Sequence, residues 1–270
     1  MGEWTFPGPN PITSYTVGLL LERPLPAAVI RQISGQHAHF KRELPRRTEQ
    51  QAITFQVGAS PGQQPRPELG GVTFDYLKPD GGTRAALAVN QVAITYMVAE
   101  YTRWAEFWPV AERLLTVVAN IALSEVPIRG FLLLANNRFL WSPGEVEVTA
   151  LIRRDPTYVA PHILECHAQG HSIHGYTIDL NDPAGVRTDN IFCLLGTTDE
   201  GPFLDLNFNL QLRLGTVVTT GKALLESVEG RSRPLLEETL DMLHNTNKSL
   251  LREIVLESVV SKIPGLPLPC

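Results

Sequence analysis

The stretch FLDLNFNLQL, residues 203–212, alternates without a break. Phe203, Asp205, Asn207, Asn209 and Gln211 fall on one side of an extended chain, and Leu204, Leu206, Phe208, Leu210 and Leu212 on the other. Successive side chains of a strand point to opposite faces, so this pattern fits a strand with one apolar and one polar face and fits no helix. Any fold for this chain must bury one face of that strand and leave the other to polar surroundings.

Other segments read as strands too. ITSYTVGLLLE (residues 12–22) is rich in β-branched and aromatic residues, and QQAITFQVG (50–58) follows the same pattern. SPGQQPRPELGG (60–71) reads as a loop. PDGG (79–82) sits between two strands, where Asp-Gly supplies the positive φ of a tight turn. QVAITYMV is a further strand, and VPIRGFLLLANNRFLW (126–141) reads as a strand buried on both faces. Two helices interrupt them. One spans residues 26–44 from Pro26, weakened in its middle by Gly35. The other spans residues 103–123, where Phe107, Trp108, Ala111, Leu114, Leu115 and Val118 share one apolar face.

SPGE (142–145) marks a break. Residues 1–142 read as a β-α-β-β-β-α-β domain, ferredoxin-like in order, with helices over one face of a mainly antiparallel sheet. Residues 143–270 read as a second antiparallel sheet closed by a long C-terminal helix that ends at Pro264-Gly265. The fold class is α+β, with two successive mainly antiparallel sheets. In the second half DPAGVRTDN (182–190) reads as a loop, NIFCLLGTT as a strand and DEGP as a turn. Asn247 falls on the apolar seam of the closing helix, where a wet edge or an irregularity is the expected setting.

The totals narrow the function. With 270 residues, 43% of them hydrophobic, the chain can bury one large core or two modest ones. A net charge of −5 gives no general attraction to nucleic acid or to anionic membrane. FKRELPRR (40–47) is the one basic run, and it reads as a solvated helix end. Cys166, Cys193 and Cys270 are odd in number and widely spaced, which argues against a disulfide framework and for a reducing cytoplasm. The opening MGEWTFPGPNPITSY has neither the basic nor the apolar region of a secretory signal, and no apolar run reaches membrane-spanning length.

Five segments together resemble a known family. They are PNPITSYTVGLLLE, YTRWAEFWPVAERLL, VPIRGFLLLANNRF, FLDLNFNLQL and LDMLHNTNKSLLREIVLESV. They are similar to the opening strand, the Tyr-x-x-Trp helix entry, the arginine-led strand, the late Leu-Asp strand and the closing helix of the sporadically distributed family of uncharacterised prokaryotic α+β proteins. The resemblance spans nearly the whole chain. It implies a two-part α+β protein of bacterial origin and no particular reaction.

HILECHAQGHSIHG (162–175) holds four of the seven histidines and Cys166. Read as a hairpin turning at Gln169-Gly170, it sets Glu165 opposite His174 and His167 opposite Ser172. Glu165, His167 and His174 then share one face, as two imidazoles and a carboxylate suited to zinc or iron. His162, Cys166 and His171 share the other face. The plain alternative is a polar, solvated hairpin face. Asp179, Asp182 and Asp205 could hold a cation if their strands adjoin, but turn formation and a solvent-facing strand edge are the favoured reading. Trp104 and Trp108 read as core. Arg129 suits an ion pair at a strand entrance, and His37 and His39 suit a helix end. No phosphate-binding, dinucleotide-binding or nucleophile-elbow motif is present.

Two functions follow as expectations. The first is a non-enzymatic protein-binding or regulatory accessory protein, needing no cofactor, in a prokaryotic defence or toxin-neutralising system. Its partner is a protein or a second copy of the chain. The alternative is a metal-dependent hydrolase or nuclease that activates water on zinc or iron held by Glu165, His167 and His174. RNA binding on a ferredoxin-like sheet lacks the aromatic and basic residues it needs.

Overall fold

The computed structural model describes residues 2–53, 67–142, 144–155, 157–227, 231–264 and 266. Among them ten strands build one sheet. These are β1 (Glu3–Thr5), β2 (Ile12–Leu21), β3 (Arg46–Ile53), β4 (Pro67–Leu77), β5 (Thr83–Asn90), β6 (Ala93–Val98), β7 (Ile128–Ser142), β8 (Gly170–Asn181), β9 (Ala184–Thr198) and β10 (Gly201–Val218). Neighbours run β3-β4-β5-β6-β2-β7-β10-β9-β8, and β1 also pairs β7. The paired strands are antiparallel.

The two successive sheets expected from the sequence are therefore one. β7 accounts for the join. Its first edge takes β2, from Ile12↔Asn137 to Leu21↔Ile128, with β1 beyond it at Trp4↔Trp141. Its second edge takes β10, from Phe203↔Leu140 to Val218↔Ile128. A strand from Ile128 to Ser142 with one open edge would leave a long row of amide groups unpaired, and β10 satisfies them. β7 is buried on both faces only through Gly130, Phe131, Leu132 and Leu133, and alternates beyond them.

The helices gather on one face. They are α1 (Ala27–Ser34), α2 (His37–Phe40), α3 (Trp104–Ala122), α4 (Gly221–Leu225), α5 (Leu235–Ile254) and α6 (Glu257–Val260). Phe40 meets Phe74 of β4 at 4.8 Å between ring centroids, Phe107 of α3 meets Tyr96 of β6 at 5.5 Å, and His244 of α5 meets Tyr15 of β2 at 6.0 Å. Alternation sends Leu204, Leu206, Phe208, Leu210 and Leu212 of β10 to this same face, and all five are buried. The helix expected over residues 26–44 is split. Gly35 N–H still bonds Arg31 O, but Gln36 N–H bonds Ile33 O, a tighter turn that ends α1 before α2 begins.

The closing helix is also shorter than expected. α5 stops at Ile254 because Val255 is extended and bridges Ile152, with Arg153 N–H on Ile254 O and Leu256 N–H on Leu151 O. The short α6 follows, and Gly265 of the expected stop lies outside the described residues. Asn247 is buried, rather than on a wet edge. DPAGVRTDN is a loop only at its start, since β9 begins at Ala184. Residues 54–58 of the second expected strand, residues 60–66 of the expected loop, and Cys270 lie outside the described residues. No helix among the described residues is long and apolar enough to cross a membrane.

The close fit of β7 between its neighbours is sharpest at Gly130, where an added Cβ would lie 2.1 Å from the Leu212 carbonyl oxygen. Gly130→Ala is expected to destabilise the fold by about 1–3 kcal/mol. Gly8→Ala, where nothing lies within 4 Å of the new carbon, should change little. Urea unfolding followed by circular dichroism compares the two.

Candidate functional site

The sheet's other face, here the outer face, carries the alternate residues of the same strands. At the β8 end it is shaped by four strands in register. Asn207 of β10 lies opposite Asn136 of β7 on one side and Phe192 of β9 on the other. Ile173 and His171 of β8 lie opposite Phe192 and Leu194. Together they line a concavity of about 420 Å³. Ile173, Leu194 and Phe192 are 65%, 44% and 38% exposed, which is unusual for large apolar side chains gathered at one place.

Amides form the other wall. Asn136 Nδ2 donates to Ser14 Oγ at 2.6 Å, and Gln211 Nε2 donates to Asn209 Oδ1 at 3.1 Å. Asn207 Oδ1 is buried without a hydrogen-bond partner, a costly state for a carbonyl oxygen. The nearby charges are matched. Arg138 holds Asp205 through two bonds of 2.7 Å and lies 4.4 Å over the Phe203 ring. The result is a mainly apolar hollow with amides along one wall and no Lys, Arg, Asp or Glu in its lining.

The histidine-rich stretch folds differently from its expected hairpin. Pro161 starts a short 3-10 helix, Pro161–Glu165, that keeps Glu165 out of any strand. β8 begins only at Gly170 and turns into β9 at Asp182-Pro183, so His174 lies opposite Ile191 and Ser172 opposite Cys193. Neither Glu165–His174 nor His167–Ser172 is a cross-strand pair. His167 Nδ1 lies 3.5 Å from Glu145 Oε1, both exposed, and the His174 ring is 6.0 Å from those of Tyr158 and Tyr176. His162 Nε2 lies 3.2 Å from His171 O, and the Cys166 thiol donates to His162 O at 3.3 Å. Among the described residues no three His, Cys, Asp or Glu side chains group so as to hold a metal ion. Of the other acids, Asp205 is held by Arg138 and Asp182 by Arg231. Cys193 is buried, which pushes its thiol up to about 12 and keeps it from acting as a nucleophile near neutral pH.

Two polar groups under the helix layer were not singled out from the sequence. Asp189 is 0% exposed and accepts from Arg187 Nε at 3.0 Å and Nη2 at 2.9 Å, while Arg187 Nη1 donates to Thr246 Oγ1 of α5 at 3.1 Å. Burial, then the Asp189 charge, pushes the Tyr176 phenol up. A second hollow of about 450 Å³ opens beside them, between α5 and β8. Their signal was the alternation of Arg187, Asp189 and Ile191, hidden by the turn-like composition around Pro183. The other group is His244, whose Nδ1 shares a 2.8 Å hydrogen bond with the Tyr15 hydroxyl. The Trp104 ring stacks on it at 4.3 Å, and its Nε2 is buried without a partner. Burial, reinforced by Lys248, lowers it to about 3.

No family model matches this chain, and searches of curated proteins and of solved structures likewise find no match.

Two outcomes follow for this layer. Because the folded state holds His244 neutral while an unfolded chain protonates it near its ordinary pKa of about 6.5, stability from this group is whole above that value. It falls as pH drops toward about 3, and His244→Gln should flatten that slope in urea unfolding measured between those limits. Removing one ion-pair partner with Asp189→Ala should cost about 3–5 kcal/mol, while the joint change Arg187→Met and Asp189→Leu should recover most of it in the same assay.

Proposed function

We propose that this protein is a non-enzymatic binding protein that presents the outer face of β8, β9 and β10 to a protein partner. The observation that carries the reading is the exposed cluster of Ile173, Phe192 and Leu194 beside the unpaired Asn207 carbonyl. Burying those three side chains would gain hydrophobic free energy. The net charge of −5 and a hollow lined by no Lys or Arg favour a protein over a nucleic acid. The setting we favour is that of an accessory or regulatory subunit in a prokaryotic defence or toxin-neutralising system, acting in the cytoplasm. That setting rests on the family resemblance and on the absence of any catalytic motif in the sequence. We also read β7-β2-β6-β5 as a ferredoxin-like order, extended outward by β4 and β3, with α1 and α3 as its crossovers.

The test is a reconstituted complex. A partner captured from the native cell by the wild-type chain is purified and titrated against wild type and against Phe192→Ser with Leu194→Ser. The double variant should bind at least about tenfold more weakly, as expected for centrally placed anchors. Equal affinity, or turnover of substrate by the wild-type chain in a broad hydrolase screen, would sink the reading.

A further inference from the structure

We propose that two copies of this chain join edge to edge through β8, antiparallel, about a twofold axis at Thr177, so that one sheet runs through both. This edge is distinct from the outer-face surface proposed above, and the two stand or fall separately.

The two ends of the sheet are built differently. β3, at one end, carries Arg46, Arg47 and Glu49 and breaks register with β4 between Gln50 and Gln51. Charges and bulges of this kind discourage another strand from adding to an edge. β8, at the other end, pairs β9 without a register shift from Gly170↔Leu195 to Asn181↔Ala184. Its first residues are covered, where His162 Nε2 lies 3.2 Å from His171 O and Ala160 N–H donates to Ser172 Oγ at 3.1 Å, and further along the Tyr158 ring stacks on Tyr176 at 5.3 Å. Residues 173–181 hold no Lys, Arg or Pro and a single carboxylate, Asp179. The exposed large apolar side chains also gather at this end. Ile173, Ile178, Val186, Phe192 and Leu194 lie on β8 and β9, against Tyr76 and Val92 elsewhere among the described residues.

A second copy fits this edge better than an arbitrary strand because the sequence is self-complementary. Thr177 is the midpoint of residues 173–181. An axis through it, perpendicular to the sheet, sets Thr177 opposite the partner's Thr177 and Tyr176 opposite the partner's Ile178. Asp179 then falls opposite the partner's Gly175. Thr–Thr and aromatic–β-branched pairs are favourable across antiparallel strands, and no like charges meet. Moving the axis to Gly175 drives the partner's strand into the turn at residues 160–166. Moving it to Asp179 sets the two carboxylates face to face. An axis of this kind keeps like faces together, so both helix layers lie on one side and the contact closes as an isologous dimer.

Sedimentation of the full chain tests the proposal. The wild type should sediment at twice the chain mass at about 100 µM and dissociate on dilution, as mass action requires. Thr177→Lys places two ammonium groups at the axis on an exposed position and should weaken self-association at least about tenfold, with an unchanged circular dichroism spectrum. Thr177→Cys should form a disulfide-linked dimer on mild oxidation, while Val186→Cys, on the neighbouring strand, should not. A wild type that stays monomeric at that concentration overturns the proposal, as does a Thr177→Lys dimer of wild-type strength or equal cross-linking by the two cysteine variants. The Phe192→Ser, Leu194→Ser double variant should retain the dimer, which separates this contact from partner binding.

Discussion

Everything in this fold leans on the two edges of β7. The strand is flanked by β2 and β1 on one side and by β10 on the other, so it shares hydrogen bonds with strands that precede it and with one that follows it in the chain. Because β7 is also buried on both faces in its first half, it has no freedom to slip. A shift of one residue would turn Phe131 and Leu133 away from the helices and bring Leu132 and Leu134 inward. Once β7 is placed, the registers of β2 and β10 follow, and through them those of β6 and β9.

The helix layer is tied to this frame by polar contacts as well as by apolar packing. Arg187 links β9 to Thr246 on α5, and Tyr15 links β2 to His244 on the same helix. The Tyr15–His244 link is buried and the Arg187–Thr246 link partly so, and because an unpaired partner there is costly, they favour a single seating of α5 over the sheet. That seating covers the buried side chains of β9 and leaves the second hollow open between α5 and β8.

Local signals in the chain were legible where one physical cause dominated. The alternation of residues 203–212 marked β10, the apolar face of residues 104–122 marked α3, and Asp80-Gly81 marked the β4–β5 turn, where Gly81 has a φ of +86°. Elsewhere two causes competed. Around Pro183 the turn-forming residues extend into a strand whose length is set by its neighbours β8 and β10, so composition alone favours a loop. Around His162 the histidines suggested a hairpin, but Pro161 commits the chain to a 3-10 turn first, and Glu165, His167 and His174 part company. The joining of the halves was not legible, because the free edge of β7 finds its partner across the intervening strands rather than next to it in sequence. The outer-face site was half legible. Asn207 and Asn209 stood out as the polar side of β10, while Phe192 and Leu194 became notable only when β9 was seen to expose them.

The placement of β7 also sets an order for synthesis. A chain leaving the ribosome completes β7 at Ser142 and can pair it at once with β2, already made. The residues that close its other edge begin only at Gly201. At an elongation rate of ~5–20 residues per second, that edge waits roughly 3 to 12 s for its partner. During that interval the nascent chain carries a long, apolar, half-paired strand. A cell making this protein therefore has a window in which a chaperone, or a neighbouring nascent copy, competes with the chain's own β10.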